Sequence, residues 1–206
     1  MRFRLCPTPT QAVGLERHCA DARYVWNLAL EQRRLYRVGR PPTPGYVEQN
    51  RQLTEARADN PWLAEGSVIV QQQALRDLDH AFRNFFRGTH RYPRWRKRGA
   101  HEGFRVVAVD PSSTRRLSDH VGAVKVPKIG WIRFRWSRAV PIAASYRVTW
   151  DRAGRWHIAF AAIPKPIPAP GTGEIVGLDR GVVVSVMTSD GEVFHAPTLR
   201  PKEAER

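Results

Sequence analysis

At 206 residues and 42% hydrophobic content, the chain can bury a core of its own, as one large or two small domains. Thirty-four Lys and Arg stand against 19 Asp and Glu, for a net charge of +15. No neutral metabolic domain needs that excess, which opposes compaction by self-repulsion and points to a polyanionic partner. Of those cations 29 are Arg and 5 are Lys. A GC-rich coding sequence accounts for Arg over Lys, but not for the shortage of acids.

The first residues, MRFRLCPTP, lack the apolar segment of a signal peptide, and no apolar run approaches the roughly 18 residues of a membrane helix. Cys6 and Cys19 form no CxxC pair, and His18 is an isolated neighbour, so no zinc site is expected in this chain. The expectation is a soluble, cytoplasmic, basic protein with reduced thiols.

In chain order, Arg2 to Leu5 alternates charge and apolar side chains and predicts a short strand. Pro7 and Pro9 then set up a helix, with Thr10 as its expected N-cap. From Gln11 to about Val38 the apolar set Leu15, Cys19, Ala22, Trp26 and Ala29 recurs at helical spacing, and Gly39 with Pro41-Pro42 ends it. Arg23 and Asn27 share one face there, either pairing locally or facing a phosphate. Tyr46 to Ala58 predicts a second helix, closed by Asn60-Pro61, with Trp62 and Leu63 expected to plug the space between helices.

A third helix is predicted over 67–87. Val70, Ala74, Leu78, Ala81 and Phe85 form its apolar stripe, widened by Leu75 and Phe82. Gln71, Arg76, Asp77, Asp79, His80, Arg83 and Asn84 are expected largely on the wet side. Gly88 sits where a left-handed C-terminal cap belongs, and Pro93 forbids a simple continuation. Then the chemistry changes: Arg87, Arg91, Arg94, Arg96, Lys97 and Arg98 occur with no acid among them, interleaved with His90, Tyr92 and Trp95. Cations beside flat rings suit a nucleic-acid surface. The alternative is a solvated basic loop.

After Gly99 the period becomes two. Phe104–Val109, Ala123–Val126, Lys128–Trp136, Tyr146–Trp150 and Trp156–Ile163 predict strands, with a turn at Asp151-Arg-Ala-Gly154. In the third of these, Ile132, Phe134 and Trp136 point to the core. Trp131, Arg133 and Arg135 point the other way, as a basic and aromatic strip on a small barrel. Residues 164–174, rich in proline and then glycine, predict a spacer and a domain boundary. Beyond it, 175–179, 182–188 and 192–195 predict a three-strand meander turning at Ser189-Asp-Gly191.

Four stretches together resemble the TnpB family, the RNA-guided nucleases of IS200/IS605-type transposable elements and relatives of type V CRISPR effectors. They are RFRLCPTPTQ, the LRDLDHAFRNFF helix with its YPRWRKRG run, PKIGWIRFR and VGLDRGVVVSVMTSDG. The resemblance implies an α+β fold: a helical recognition lobe (10–99) inserted into a wedge-type antiparallel β-barrel (1–9 and 100–163), then a linker (164–174) and the start of a RuvC-like, RNase H-type domain (175–206). It implies that Arg87, Arg91, Arg94, Trp95, Arg96, Lys97, Arg98, Lys128, Arg133 and Arg135 contact guide RNA and target double-stranded DNA.

By the same resemblance Asp179 is the first catalytic carboxylate and a ligand of Mg²⁺. Two-metal phosphodiester cleavage needs several hard oxygen ligands. The family supplies a Glu and a further Asp downstream, with a zinc ribbon between them, and this sequence ends at Arg206. The chain is therefore expected to bind nucleic acid without a complete nuclease site, or to act as a nuclease-dead transcriptional regulator. A GxDxG opening also begins actin-like sugar kinases, but those lack a preceding barrel and basic helical lobe. The HUH class of transposase requires a His-hydrophobic-His pair, which is absent here.

Overall fold

The computed structural model describes residues 1–39, 41–100, 102–162, 175–181 and 183–195. The chain divides into two units, Met1–Ile163 and Pro164–Arg206. The predicted spacer, 164–174, lies outside the described residues.

The first unit opens with β1 (Arg2–Cys6), whose alternation puts Phe3 and Leu5 inside. Helix α1 (Pro9–Arg34) follows. Its N-cap is Thr8 rather than Thr10. Pro9 takes the first helical position, where its missing N–H and fixed φ cost nothing, so the cap falls two residues earlier than expected. Thr8 Oγ1 accepts the Gln11 N–H at 3.3 Å and Gln11 Oε1 accepts the Thr8 N–H at 3.0 Å, a reciprocal capping box. Leu15, Cys19, Ala22, Trp26 and Ala29 are all buried, as their spacing requires.

Helix α2 (Tyr46–Asp59) leads into a one-turn helix α3 (Pro61–Ala64) and the long α4 (Val68–Phe86). Leu63 plugs the core, but Trp62 does not: it is 47% exposed and lies edge-on against Tyr24 at 5.1 Å. Gln71 also departs from expectation. Its side chain is fully buried, donating to Leu63 O at 2.9 Å and Asp21 Oδ2 at 3.2 Å, while Arg57 donates to its Oε1. Arg57 also caps α3 through Leu63 O (2.8 Å) and Ala64 O (2.9 Å). A polar residue on a wet stripe becomes internal here because α3 leaves carbonyls that need donors. At the far end of α4, Gly88 (φ +73°) adopts the left-handed cap conformation. Thr89 N–H reaches Asn84 O (3.1 Å) and Gly88 N–H reaches Phe85 O (2.9 Å), a Schellman closure.

The strands β2 (Gly103–Val107), β3 (Thr114–Arg116), β4 (Val121–Val126), β5 (Gly130–Arg135), β6 (Ser145–Trp150) and β7 (Trp156–Phe160) join β1 in one antiparallel sheet, in the order β2-β6-β7-β1-β5-β4-β3. The expected turn at 151–154 connects β6 to β7, with Asp151 Oδ1 accepting the Ala153 and Arg155 N–H groups at 2.9 Å each. Strand β3 was not expected, because Thr-Arg-Arg shows no apolar alternation.

The sheet is strongly curled. β2 ends at Val107 and β3 begins at Thr114, seven residue steps that reach at most about 25 Å. Yet these strands form opposite edges, and seven flat strands about 4.8 Å apart would separate them by about 29 Å. The sheet nevertheless stays open: among the described residues no ladder joins β2 to β3. The expected closed wedge barrel is thus corrected to an open, curled sheet. One edge strand is only three residues long, and β2 runs into the helices. Helices and sheet share one hydrophobic core, with Leu15, Leu30, Leu78, Val124, Ile132, Phe134 and Ile158 all within 1% exposure. Gly122 on β4 is required there, since a Cβ would meet Phe134 Cζ and Trp136 Cε3 at 2.5 Å.

The second unit contains β8 (Leu178–Asp179), β9 (Val186–Thr188) and β10 (Val193–Phe194), an antiparallel meander in the order β10-β9-β8. The meander follows the predicted order with shorter strands. Gly191 at φ +86° makes its second turn.

Candidate nucleic-acid interface

Helix α1 and the residues 92–99 form one built structure. Asn27, at the middle of the buried stripe's flank, grips the backbone of Arg96 from both sides: its Nδ2 donates to Arg96 O at 3.0 Å and its Oδ1 accepts the Arg96 N–H at 2.9 Å. One residue earlier, Trp26 Nε1 donates to Arg94 O at 2.9 Å. Pro93 is buried, and Tyr92 stands edge-on to Phe82 (5.4 Å) and Phe85 (5.2 Å). Gly99 N–H is held by Glu102 Oε1 at 2.9 Å, and the same carboxylate pairs with Arg23 at 2.5 Å. Arg23 and Asn27 therefore both serve internal partners rather than a solvent-facing phosphate.

A chain fastened at 92, 94, 96 and 99 presents the residues between those anchors. Arg87, Arg91, Arg94, Lys97 and Arg98 are exposed. Among the described residues, their side chains make no hydrogen bond or ion pair. Trp95, 40% exposed, lies beside the Arg34 guanidinium at 5.5 Å. Arg96 differs: its guanidinium sits 4.0 Å from the centre of the Trp26 ring and 4.0 Å from Asp77. Burial lowers its pKa to about 10, against the pull of Asp77, so it remains charged at neutral pH. It anchors the run instead of extending from it. Asp77 is also shared by Arg147 (3.0 Å) and Arg105 (3.8 Å) from the sheet, so one carboxylate faces three guanidiniums.

A second basic surface lies on the outer sheet face. Arg133 and Arg135 are exposed and alternate with buried Ile132 and Phe134, as the period-two pattern requires. Register places Cys6, Arg133, Ala123 and Arg115 in one cross-strand row. Arg115, which sequence reasoning missed because it lies on β3, has its guanidinium 4.1 Å from the Trp131 ring centre. Lys128 is exposed in the turn between β4 and β5, at φ +64°. His18 ties that turn to α1 through Nε2 and Pro127 O at 2.8 Å. Burial is the main cause that holds its imidazole pKa below the ordinary value, so the ring is a neutral structural donor.

The two surfaces are separated along α1. Gln11 Nε2 donates to Trp131 O at 2.9 Å at one end and Asn27 holds Arg96 toward the other. Sixteen helical residues span about 24 Å, roughly seven phosphate spacings of one strand. The structure thus gathers 87–98 into one patch and sets Lys128, Arg133 and Arg135 apart from it.

In the second unit Asp179 is exposed and pairs with Met187, whereas Asp190 lies in the turn beyond Thr188, whose partner is Leu178. The two carboxylates therefore face opposite ends of the β8–β9 pair. Among the described residues no group of three His, Cys, Asp or Glu is placed to hold a metal ion. Cys19 is buried, which raises its thiol pKa to about 12, and no described helix is long and apolar enough to cross a membrane.

This combination of a clamped basic run and a basic sheet face fits the class of nucleic-acid-binding proteins. Residues 1–39 match the model of the OrfB/IS605-type helix-turn-helix domain, although here they form one strand and one uninterrupted helix. A protein of Streptomyces pristinaespiralis named as an RNA-guided DNA endonuclease is 32% identical over 210 residues, covering 100% of this chain and 51% of the relative. InsQ of Escherichia coli strain K12, named likewise, is 31% identical over 200 residues, covering 94% of this chain and 48% of its own length. This chain belongs to the TnpB family. It spans about half the length of the curated relatives it matches.

Proposed function

We propose that this chain is the nucleic-acid-binding N-terminal portion of an RNA-guided DNA endonuclease of the TnpB type, holding a guide RNA and contacting target double-stranded DNA. One observation carries the reading: among the described residues, exposed cations without acidic partners, Arg94, Lys97 and Arg98, stand on a segment whose backbone is hydrogen-bonded to α1 at Arg94 and Arg96, with Arg87 and Arg91 exposed just before it. A run that merely dissolves the protein needs no such clamp. Arg87, Arg91, Arg94, Lys97 and Arg98 contact phosphates, Trp95 offers a stacking face, and Arg96 secures the run. Lys128, Arg133 and Arg135, joined by Arg115, contact the backbone at the other end of α1. Base pairing then supplies most of the sequence specificity, as in other RNA-guided systems.

Residues 175–206 begin a RuvC-like domain in this reading, with Asp179 as its first carboxylate. The described residues do not by themselves fit a Mg²⁺ centre: Asp179 has no second carboxylate beside it, and no cleavage step is assigned to this chain. Among the described residues zinc likewise has no ligand set.

The test is to purify the chain through a high-salt wash and digest what co-elutes with RNase or DNase. A defined RNase-sensitive species supports the guide-RNA reading. Binding to duplex DNA alone points to a DNA-binding regulator of the same family. In salt titrations Arg94→Ala lowers the slope of log affinity against log salt by about 0.7 to 0.9, one phosphate contact. An unchanged slope after Arg94→Ala, Lys97→Ala and Arg98→Ala together refutes the assignment.

A further inference from the structure

Where α4 ends, three aromatic rings meet the C-terminal end of α1 and leave a cleft of about 680 Å³. Its walls include Phe86, Tyr92 and Tyr36, which are 79%, 55% and 41% exposed in the order Phe86, Tyr36, Tyr92. Rings this open on a surface are unusual when the same helix buries Phe82 to 5%. They are not loose. Phe86 stacks on Phe82 with centroids 6.1 Å apart and planes 26° apart, and contacts Phe85 at 5.3 Å. The Schellman closure at Gly88 and the edge-on seat of Tyr92 fix the frame of the wall.

The charge around it has one sign. Among the described residues, Arg33 and Arg34 line the cleft and no acid does. Arg33 is committed to Asp79 at 3.0 Å and lies over Phe82. Arg34 is exposed, as are Arg87 next to Phe86 in sequence and Arg91 next to Tyr92. An apolar peptide or a second copy of the chain would leave these cations unanswered. Flat rings with arginines at the rim match a ligand that is itself flat and carries a phosphate on each side.

We propose that this cleft receives an unpaired base of a single-stranded nucleic acid, stacked against Phe86 and Tyr36, with Arg34, Arg87 and Arg91 at the flanking phosphates. A duplex presents no free base face, so the cleft selects single strand over double strand. This rests on the nucleic-acid-binding reading above and adds to it a site and a preference.

The experiment measures fluorescence anisotropy of the full chain with labelled oligouridine, oligothymidine and a DNA duplex, across a salt series. Phe86→Ala and Tyr36→Ala each remove an exposed ring, so circular dichroism stays unchanged. Each weakens single-strand binding at least fivefold, the low end of what one base–aromatic stack contributes. The salt slope and the duplex affinity stay within twofold of wild type. Loss confined to oligouridine makes the occupant RNA; loss confined to oligothymidine makes it DNA. Wild-type binding that neither substitution alters, or that falls equally for duplex, overturns the cleft and leaves the proposed function standing. No wild-type binding to any of the three overturns both.

Discussion

Asn27→Ala separates the scaffold from the charges it presents. The substitution removes two hydrogen bonds, of 2.9 and 3.0 Å, both to the backbone of Arg96, and alters no charge. At about 1 kcal/mol net for each, the loss is about 2 kcal/mol, both bonds being to the backbone of a half-buried residue. With a urea dependence near 2 kcal/mol per molar, the unfolding midpoint falls by about 1 M. Nucleic-acid affinity falls too, by up to about 30-fold if the whole 2 kcal/mol is needed to dock the run. The salt slope stays at its wild-type value, since every cation is still present. Arg94→Ala is the mirror image, lowering the slope while leaving the urea midpoint alone. Two results would refute the reasoning. One is an Asn27→Ala protein destabilised by 2 kcal/mol that binds as tightly as wild type. The other is an Asn27→Ala protein whose salt slope drops by a full contact.

Gly66→Ala would press a methyl against Asp21 Oδ2 and within 2.6 Å of Gln71 Nε2, in the buried polar knot that also holds Arg57. Overpacking and a broken polar network together cost about 2–4 kcal/mol, read as a lower urea midpoint. Asp77→Asn leaves Arg96, Arg105 and Arg147 without their shared counter-charge. These guanidiniums are partly solvated, so the loss is about 1 kcal/mol and shrinks as salt is raised, which paired melts at low and high salt will show. His18 has a lowered folded pKa, so the unfolded chain binds the extra proton more readily, and stability drops as pH falls below about 6.5. His157 shifts the same way, chiefly through burial. Urea midpoints between pH 7.5 and 5.5 should therefore fall in wild type and fall less in His18→Gln, which keeps a donor for Pro127; equal falls would remove His18 from the account.

Periodicity located the buried faces of α1 and α4 and the alternation of β5, and local glycine and turn chemistry located the left-handed cap at Gly88 and the turn at 151–154. Each depends on residues within one or two turns of one another, where side-chain direction follows from backbone geometry. The basic run was equally plain, because charge is a property of composition. What neighbouring residues could not disclose was which polar groups turn inward. Gln71 reads as solvent-facing until α3 leaves carbonyls above it, and Arg96 reads like its five cationic neighbours until Trp26 and Asp77 close around it. Asn27 meets Arg96 from 69 positions away. Strand β3 has no apolar pattern, so Arg115 joined the sheet face only through its register with Ala123. The curled sheet stays open because closure depends on whether two edge strands find each other, a long-range pairing that no local pattern encodes. Composition and local pattern establish an α+β core carrying a basic surface; long-range packing selects which cations are presented, which are used as fasteners, and where the rings of α4 open a cleft, because those choices rest on partners far apart in the chain.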